Sequence, residues 1–439
     1  MKIINEIDND FLSLFGYQIK EKNRKYVDSK YVLEHTYKDK QLFFNVLTSE
    51  FVCCDKDELL DDNFKFQHWF KLPEDIEQYS FASTYKQSKI NKLFYTPEGK
   101  IKKVVIFTTT DCNARCYYCF ENGVAKIRME DKTAEDVADF LISHGQEYYI
   151  SWFGGEPLYN SRCIDIITDK LRCNNINFKS DITTNGYLLN EHSIYKLRYK
   201  WNVASVQITL DGTQDIYNKT KDYIYDDPNP FNRVLNNVFY LSENDIFVKI
   251  RYNLSTFNVP DVKQLITDIY ESGRINKNIH MYSSRLNREF DFNIEDEQIL
   301  CDSEHYINRY ISELIGNPYT KEMFMEYSTN YCLADSGNAY VINPVGQIGR
   351  CEHYSDKNQL YSIYNPTVNV KDVEVFTHHR RTDKCSQCIL YPNCTLADVC
   401  ENLLPCDEIG NEFFIDSCKL AMENSYENKV DLKNYLELC

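Results

Sequence analysis

The 439-residue sequence contains no apolar run of about 18 residues, so nothing in it reads as a membrane-spanning helix. Its start, Met1-Lys2-Ile3-Ile4-Asn5-Glu6-Ile7, has no apolar stretch of the signal-peptide type. A cytoplasmic protein is therefore expected. Positive charge is also scarce: 49 Lys and Arg face 66 Asp and Glu, a formal net charge of −17. That sign disfavours a nucleic-acid or anionic-membrane surface, so neither is expected as a partner. The excess acid is read as a solvated, solubilising surface. Glycine-rich and cysteine-pair motifs are missing from the first 95 residues.

Cysteine, by contrast, is abundant. Without a secretory signal, disulfides are the wrong explanation for most of the 17 thiols. Metal clusters are the better one, and they imply a reducing or oxygen-poor setting. The length exceeds one typical core, so two or three domains are expected.

The chemistry concentrates on one stretch. The β-branched run Lys103-Val104-Val105-Ile106-Phe107 reads as a buried strand, and the following loop, from Thr108 to Phe120, carries Cys112, Cys116 and Cys119. The loop leaves the carboxyl end of the strand, where barrel enzymes place their chemistry. Spaced C-x3-C-x2-C, three thiolates can wrap one compact soft centre. A mononuclear zinc ion would want a fourth nearby ligand, whereas the next thiol is Cys163. An iron-sulfur cluster with one iron left open suits this set better.

This loop, with Tyr118 before its last cysteine, resembles that of the radical S-adenosylmethionine (SAM) family. The resemblance implies a 4Fe-4S cluster whose open iron takes SAM's amino and carboxylate groups, and cleavage of SAM to a 5'-deoxyadenosyl radical. Downstream residues extend it. The run Tyr148 to Phe153 reads as a second strand ending in Gly154-Gly155-Glu156-Pro157, similar to the family's GGEP motif, whose backbone and acid hold SAM's ammonium group. Strands ending in Thr184-Asn185-Gly186 and Thr209-Leu210-Asp211-Gly212 match the TNG and SLDG ends of sulfatase-maturase-like members, with Thr209 in place of the usual Ser. Phe247 to Leu254 and Ile279 to Tyr282 complete six strands in a βα rhythm. Thr184, Asn185, Thr209, Asp211 and Arg251, at or near strand ends, are candidate ribose, carboxylate or substrate contacts, or else ordinary turn and sheet residues.

A second cysteine field follows, with eight thiols within 87 residues, from Cys332 to Cys418. It resembles the SPASM extension of radical SAM enzymes, which binds one or two auxiliary iron-sulfur clusters. Cys332 is followed after 13 residues by Gly346, then after four by Cys351. Cys385, Cys388 and Cys394 keep the family's register. The next expected position is Asp398, while the nearest thiol is Cys400, which soft iron favours over a carboxylate. By analogy Cys385, Cys388, Cys394 and Cys418 hold a distal cluster, and Cys332, Cys351 and Cys400 a proximal one. The competing reading is a zinc ribbon. Glu352, directly after Cys351, is a candidate pocket base or a solvated charge.

Before residue 95, Lys30 to Thr36 and Gln41 to Val52 read as two strands joined at Tyr37 to Lys40, followed by helix-compatible acidic sequence around Asp57 to Asp62. This segment resembles the winged-helix leader-peptide recognition domains of peptide-modifying radical enzymes. The expected fold is thus α/β: a partial (β/α)6 TIM barrel over residues 100–310, an N-terminal winged-helix-like domain over 1–95, and a connection with a C-terminal SPASM iron-sulfur domain over 311–439. The family resemblance implies maturation of a ribosomally synthesised precursor peptide with a leader sequence. A reducing donor such as flavodoxin or ferredoxin would supply electrons. The rivals are an anaerobic sulfatase-maturase-type formylglycine-forming enzyme and a non-catalytic iron-sulfur or zinc electron-transfer scaffold.

Overall fold

The computed structural model describes residues 25–47, 50–55, 71–74, 77–84, 103–286, 294–315, 339–349, 351–352, 361–365 and 383–393, together with positions 415, 418, 419, 422, 423 and 426. The chain divides into two compact units. One gathers Met1–Tyr95, Pro318–Cys332 and Thr377–Cys439; the other gathers Thr96–Asn317 and Leu333–Phe376.

In the first unit the strands are β1 (Tyr26–Asp28), β2 (Val32–Tyr37), β3 (Lys40–Asn45), β4 (Glu50–Asp55) and β5 (Lys71–Pro73). β1 pairs with β5, and β2, β3 and β4 form an antiparallel meander. The turn between β2 and β3 falls within the expected Tyr37 to Lys40 stretch, with Lys38 at φ 54°. The run from Gln41 to Val52, read as one strand, instead breaks after Asn45. There the Asn45 side chain accepts from the Leu47 amide at 3.0 Å, an Asx turn that reverses the chain. The acidic stretch around Asp57 to Asp62 lies outside the described residues.

A helical segment over 78–84 follows, its entry held by the Glu77 carboxylate accepting from the Ser80 amide at 2.6 Å. Tyr31, Leu33, Leu42, Phe44 and Phe81 share one apolar core with Leu390, Tyr391, Cys418 and Met422. The amino-terminal sheet and the late cysteine-bearing segments therefore bury each other's surface.

The second unit is built on β6 (Lys103–Thr109), β7 (Glu147–Gly154), β8 (Asn177–Thr184), β9 (Val203–Leu210), β10 (Phe247–Leu254) and β11 (Ile279–Arg285). These six strands are parallel and adjacent in chain order. Parallel neighbours need crossovers, and helices Asp131–His144, Ser161–Cys173, Pro230–Glu243 and Val259–Glu271 supply four of them. Beyond β6 the sheet continues through β12 (Ala339–Ile342), parallel to β6, and antiparallel β13 (Gln347–Gly349) and β14 (Tyr361–Ser362). The expected α/β class with a parallel sheet is what the strands form.

Alternation along each strand separates two faces. Ile106, Ile150, Trp152, Ile182, Val206, Ile208, Val248 and Ile250 join the helices in the main core. The opposite face changes character across the sheet. Val105, Phe107, Phe153 and Val341 make a small apolar patch at the β6 side. Towards β11 the wall becomes polar, with Tyr282 donating to Gln207 at 2.7 Å and Arg251 to Ser284 at 3.1 Å. Cys163 is buried, whereas Cys173 is exposed at the end of its helix. Among the described residues no helix is long and apolar enough to cross a membrane.

Candidate active site

β6 delivers Thr108 and Thr109 fully buried to its carboxyl end, and the cysteine loop starts there. Thr109 anchors it from both sides: its hydroxyl donates to the Ile127 carbonyl at 2.8 Å and accepts from the Asp111 amide at 2.9 Å. Asp111 accepts from the Cys112 amide at 2.9 Å, and the Arg115 guanidinium donates to the Cys112 and Ala114 carbonyls at 2.5 and 2.8 Å. These bonds pin a segment that has no regular secondary structure of its own.

The sulfurs lie among N–H donors. Cys112 Sγ accepts from the Ala114 amide at 3.3 Å and lies 3.8 Å from Asn185 Nδ2. Burial, followed by the charge of Glu156, pushes the Cys112 thiol up to about 12. Burial pushes Cys119 up to about 11 and raises Cys116, the latter opposed by Lys221. As free thiols these groups hold their protons. A bound soft metal would displace them, and amide donors would then meet thiolate. Three sulfurs on one loop with donors directed at them suit a sulfide-bridged cluster leaving one iron open.

The two glycines of the second motif do more than approach a ligand. Gly154 has φ +140°, and a Cβ there would meet the Thr109 carbonyl at 2.1 Å; a Cβ on Gly155 would meet Asp111 O at 2.5 Å. Their bareness lets β7 close against the root of the cysteine loop, where the Gly155 and Glu156 amides donate to Thr109 and Asp111 carbonyls at 3.0 Å. Pro157, buried, opens the next turn, and its carbonyl accepts from Thr108 at 3.0 Å.

Glu156 is fully buried. Its carboxylate accepts from the Leu158 amide at 3.0 Å, the Thr184 hydroxyl at 2.7 Å and the Asn185 amide at 2.8 Å. Burial raises its pKa to about 7 against those stabilising donors. It thus straps the end of β7 to the end of β8. Asn185 in turn donates to Asn113 Oδ1 at 2.6 Å and reaches Cys112, so the third motif is joined to the first.

Tyr118 and Asp211 also meet. The Tyr118 hydroxyl donates to Asp211 Oδ1 at 2.7 Å, and Lys221 Nζ donates to the same hydroxyl at 2.9 Å. Lys221 Nζ lies 3.0 Å from Asp211 Oδ2, with the two side chains 4% and 1% exposed. Burial disfavours the Lys221 charge, yet Asp211, Tyr118, Cys116 and Tyr217 together hold the ammonium well above its usual range. The Lys221 carbonyl accepts from the Arg115 amide at 2.8 Å, tying the helix Gln214–Lys221 to the cysteine loop.

Lys221 was not legible in the sequence, where a lysine closing a short polar helix reads as solvated. Asn258, donating to the Asp211 carbonyl at 2.8 Å, was equally silent.

The remaining candidates are more scattered. Thr209, half-buried, sits on β9 in register with Arg251 on β10. Arg251 Nε is buried without a hydrogen-bond partner among the described residues, and its charge acts on half-buried Glu304, which Arg285 engages at 2.8 Å. Cys351 and Glu352 follow β13 and are half-buried; no described hydrogen bond or ion pair links Glu352 to the cysteine loop. Cys385, Cys388 and Cys418 lie in or against the apolar core of the first unit. Cys332, Cys394 and Cys400 lie outside the described residues.

Residues 106–269 match the Radical SAM superfamily. The cysteine-type anaerobic sulfatase-maturating enzyme of Clostridium novyi is 24% identical over 332 residues, 65% of this chain and 84% of its own length. The radical SAM cyclopropyl synthase TigE of Paramaledivibacter caminithermalis is 26% identical over 299 residues, 56% of this chain and 62% of its own length. Among solved structures, native anSMEcpe with bound AdoMet shares the fold, with a TM-score of 0.57 at 15% identity, covering 76% of this chain and 99% of that one.

Proposed function

We propose that this radical SAM enzyme, with its superfamily domain at residues 106–269, modifies a ribosomally synthesised precursor peptide by closing a thioether or carbon-carbon crosslink. The observation that carries the reading is the convergence of three strand-end motifs on one thiol: Glu156 binds the Asn185 amide, and Asn185 Nδ2 reaches Cys112 Sγ at 3.8 Å. A carrier or zinc scaffold has no use for that arrangement.

Cys112, Cys116 and Cys119 hold the 4Fe-4S cluster of such an enzyme. Gly154, Gly155, Glu156 and Pro157 shape the SAM side of the pocket, with Glu156 fixing the β7 and β8 ends. Thr184, Asn185, Thr209, Asp211 and Arg251 make ribose, carboxylate or substrate contacts, and Tyr118 ties the last turn of the cysteine loop to Asp211. When bound there, the cluster and SAM would supply reductive cleavage to a 5'-deoxyadenosyl radical for hydrogen abstraction, and an auxiliary cluster would accept the electron released on bond closure.

In this reading the tail is a SPASM domain. Cys385, Cys388, Cys394 and Cys418 hold one auxiliary cluster, Cys332, Cys351 and Cys400 a second, and Glu352 serves as a pocket base. The amino-terminal segment is a winged-helix-like leader-binding domain, and the edge strands β2 and β4 are where an extended leader could add. Flavodoxin or ferredoxin supplies the electron.

The test is anaerobic reconstitution with iron and sulfide, followed by reductant-driven SAM cleavage. Cys112→Ala is expected to abolish 5'-deoxyadenosine formation, and wild-type output from that variant would sink the assignment. Similarity to the Clostridium novyi maturase favours a second reading, oxidation of a Ser or Cys to formylglycine. An aldehyde on the product, trapped by a hydrazide probe, would select it over a crosslink.

A further inference from the structure

The first unit contains a buried polar atom that the proposed chemistry has not used. Tyr31, between β1 and β2, is 0% exposed, and its hydroxyl has no hydrogen-bond partner among the described residues. A phenol sealed from water without a partner is unfavourable, and natural folds seldom leave one without reason.

Its surroundings supply the reason. Lys30 Nζ donates to the Ser386 carbonyl at 2.5 Å and lies 5.3 Å from the centre of the Tyr31 ring. Ser386 is inside the Cys385 to Cys388 turn, closed by the Cys388 amide donating to the Cys385 carbonyl at 3.3 Å. Burial raises the Tyr31 hydroxyl's pKa, with Glu77, then Tyr391 and Tyr79, and least Cys388, adding to the rise; Cys385 and Cys388 pack against the apolar core that Tyr31 belongs to. Tyr391, its ring tilted against that of Tyr79 at 4.7 Å, already has a partner in Ser83 at 2.8 Å. Lys30 is thus bonded to the thiol turn, and its neighbour Tyr31 brings an unmet donor into the core that Cys385, Cys388 and Cys418 adjoin.

We infer that Tyr31 is a positioning residue for the auxiliary centre: its hydroxyl donates a hydrogen bond to a sulfur of the cluster held at Cys385, Cys388 and Cys418. The assignment rests on the reading of the tail as a cluster domain. Two of the thiols come from one tight turn and the third from a residue in the same apolar core; among the described residues no three ligand side chains converge on a single metal ion, so the group in question is a wider, sulfide-bridged cluster. A hydrogen bond to sulfur favours the reduced, more negative cluster and raises its reduction potential. The amino-terminal sheet would then tune the late cysteine field as well as cover it.

Tyr31→Phe keeps the ring in the core and removes only the hydroxyl. Full-length wild type and variant, reconstituted with iron and sulfide, are compared by iron content, EPR-monitored redox titration and thermal unfolding. In the variant the signal insensitive to SAM should keep its iron but titrate at a lower potential, while the SAM-sensitive signal stays put. Stability supplies a second readout. Phe should be neutral or stabilising in cluster-free protein, where the donor is orphaned, and destabilising in the loaded protein.

Unchanged potentials at full iron would overturn the inference. So would an equal loss of stability with and without cluster, since that would mean another partner. Wild type holding iron for a single cluster would remove the auxiliary centre itself, and the iron count separates that failure from a failed hydrogen bond. SAM cleavage, measured on the same sample, reports on the proposed enzyme function separately.

Discussion

Replacing Lys221 by Met tests whether the buried charge network underpins the cysteine loop. The ammonium is 4% exposed and faces a carboxylate that is 1% exposed at 3.0 Å. Removing one member of such a pair strands the other, at a cost of about 3–5 kcal/mol. Tyr118 still donates to Asp211 in the variant, and a hydrogen bond to a charged group retains about 1.5–3 kcal/mol. The loss should therefore fall near the lower end, about 3 kcal/mol.

Urea unfolding followed by fluorescence of Trp152 and Trp201, both buried in the same core, would read it. The double change Lys221→Met with Asp211→Asn removes both charges, and it should recover at least half of the loss. Iron uptake at the cysteine loop should fall in the single variant, because the Lys221 segment also holds the Arg115 amide. A single-variant cost under about 1 kcal/mol, or a double variant no better than the sum of its parts, would refute the reasoning.

Glu156 gives a pH signature. Its folded pKa, raised to about 7 mainly by burial, lies above the ordinary value of 4.5. The folded state therefore binds more protons between those values, so stability contributed by the protonated acid is present below pH 4.5 and lost as pH rises through 7. The difference is on the order of 3 kcal/mol. Unfolding titrations of wild type and Glu156→Gln should differ by this slope, and parallel curves would contradict it. Gly155→Ala should lower iron incorporation with little change in far-UV circular dichroism, because a Cβ 2.5 Å from Asp111 O must displace the loop and not the sheet. Tyr391→Ala should destabilise the first unit by about 3 kcal/mol. Its ring is 1% exposed and its hydroxyl is paired with Ser83. A melting transition unmoved by that change would show that the two ends of the chain do not share a core.

Much of the barrel sheet was legible because β-branched and aromatic runs ending in glycine or small polar turns carry their own signal. All six parallel strands fall where the runs lie, with boundaries extended by one to three residues at several ends. The Asn45 turn was not legible. An Asx turn inside a continuous apolar stretch, Leu42-Phe43-Phe44-Asn45-Val46-Leu47, is marked by a single residue, and the apolar pattern outvotes it. The GGEP glycines were visible as permissive positions, but their closest neighbours proved to be the carbonyls of Thr109 and Asp111.

Local sequence by itself determined that three thiols share a loop after a strand, that a glycine pair and an acid follow a second strand, and that the strands alternate with helices. These are properties of spacing along the chain, and spacing survives without the fold. Only tertiary structure decided that Glu156 directs its carboxylate to Thr184 and Asn185, that Lys221 is a buried cation beside Tyr118 and Asp211, and that Lys30 bonds the Ser386 carbonyl in the Cys385–Cys388 turn. Those partners are tens to hundreds of residues apart. Which polar groups meet in a dry interior depends on how strands and helices stack, and no local pattern encodes that.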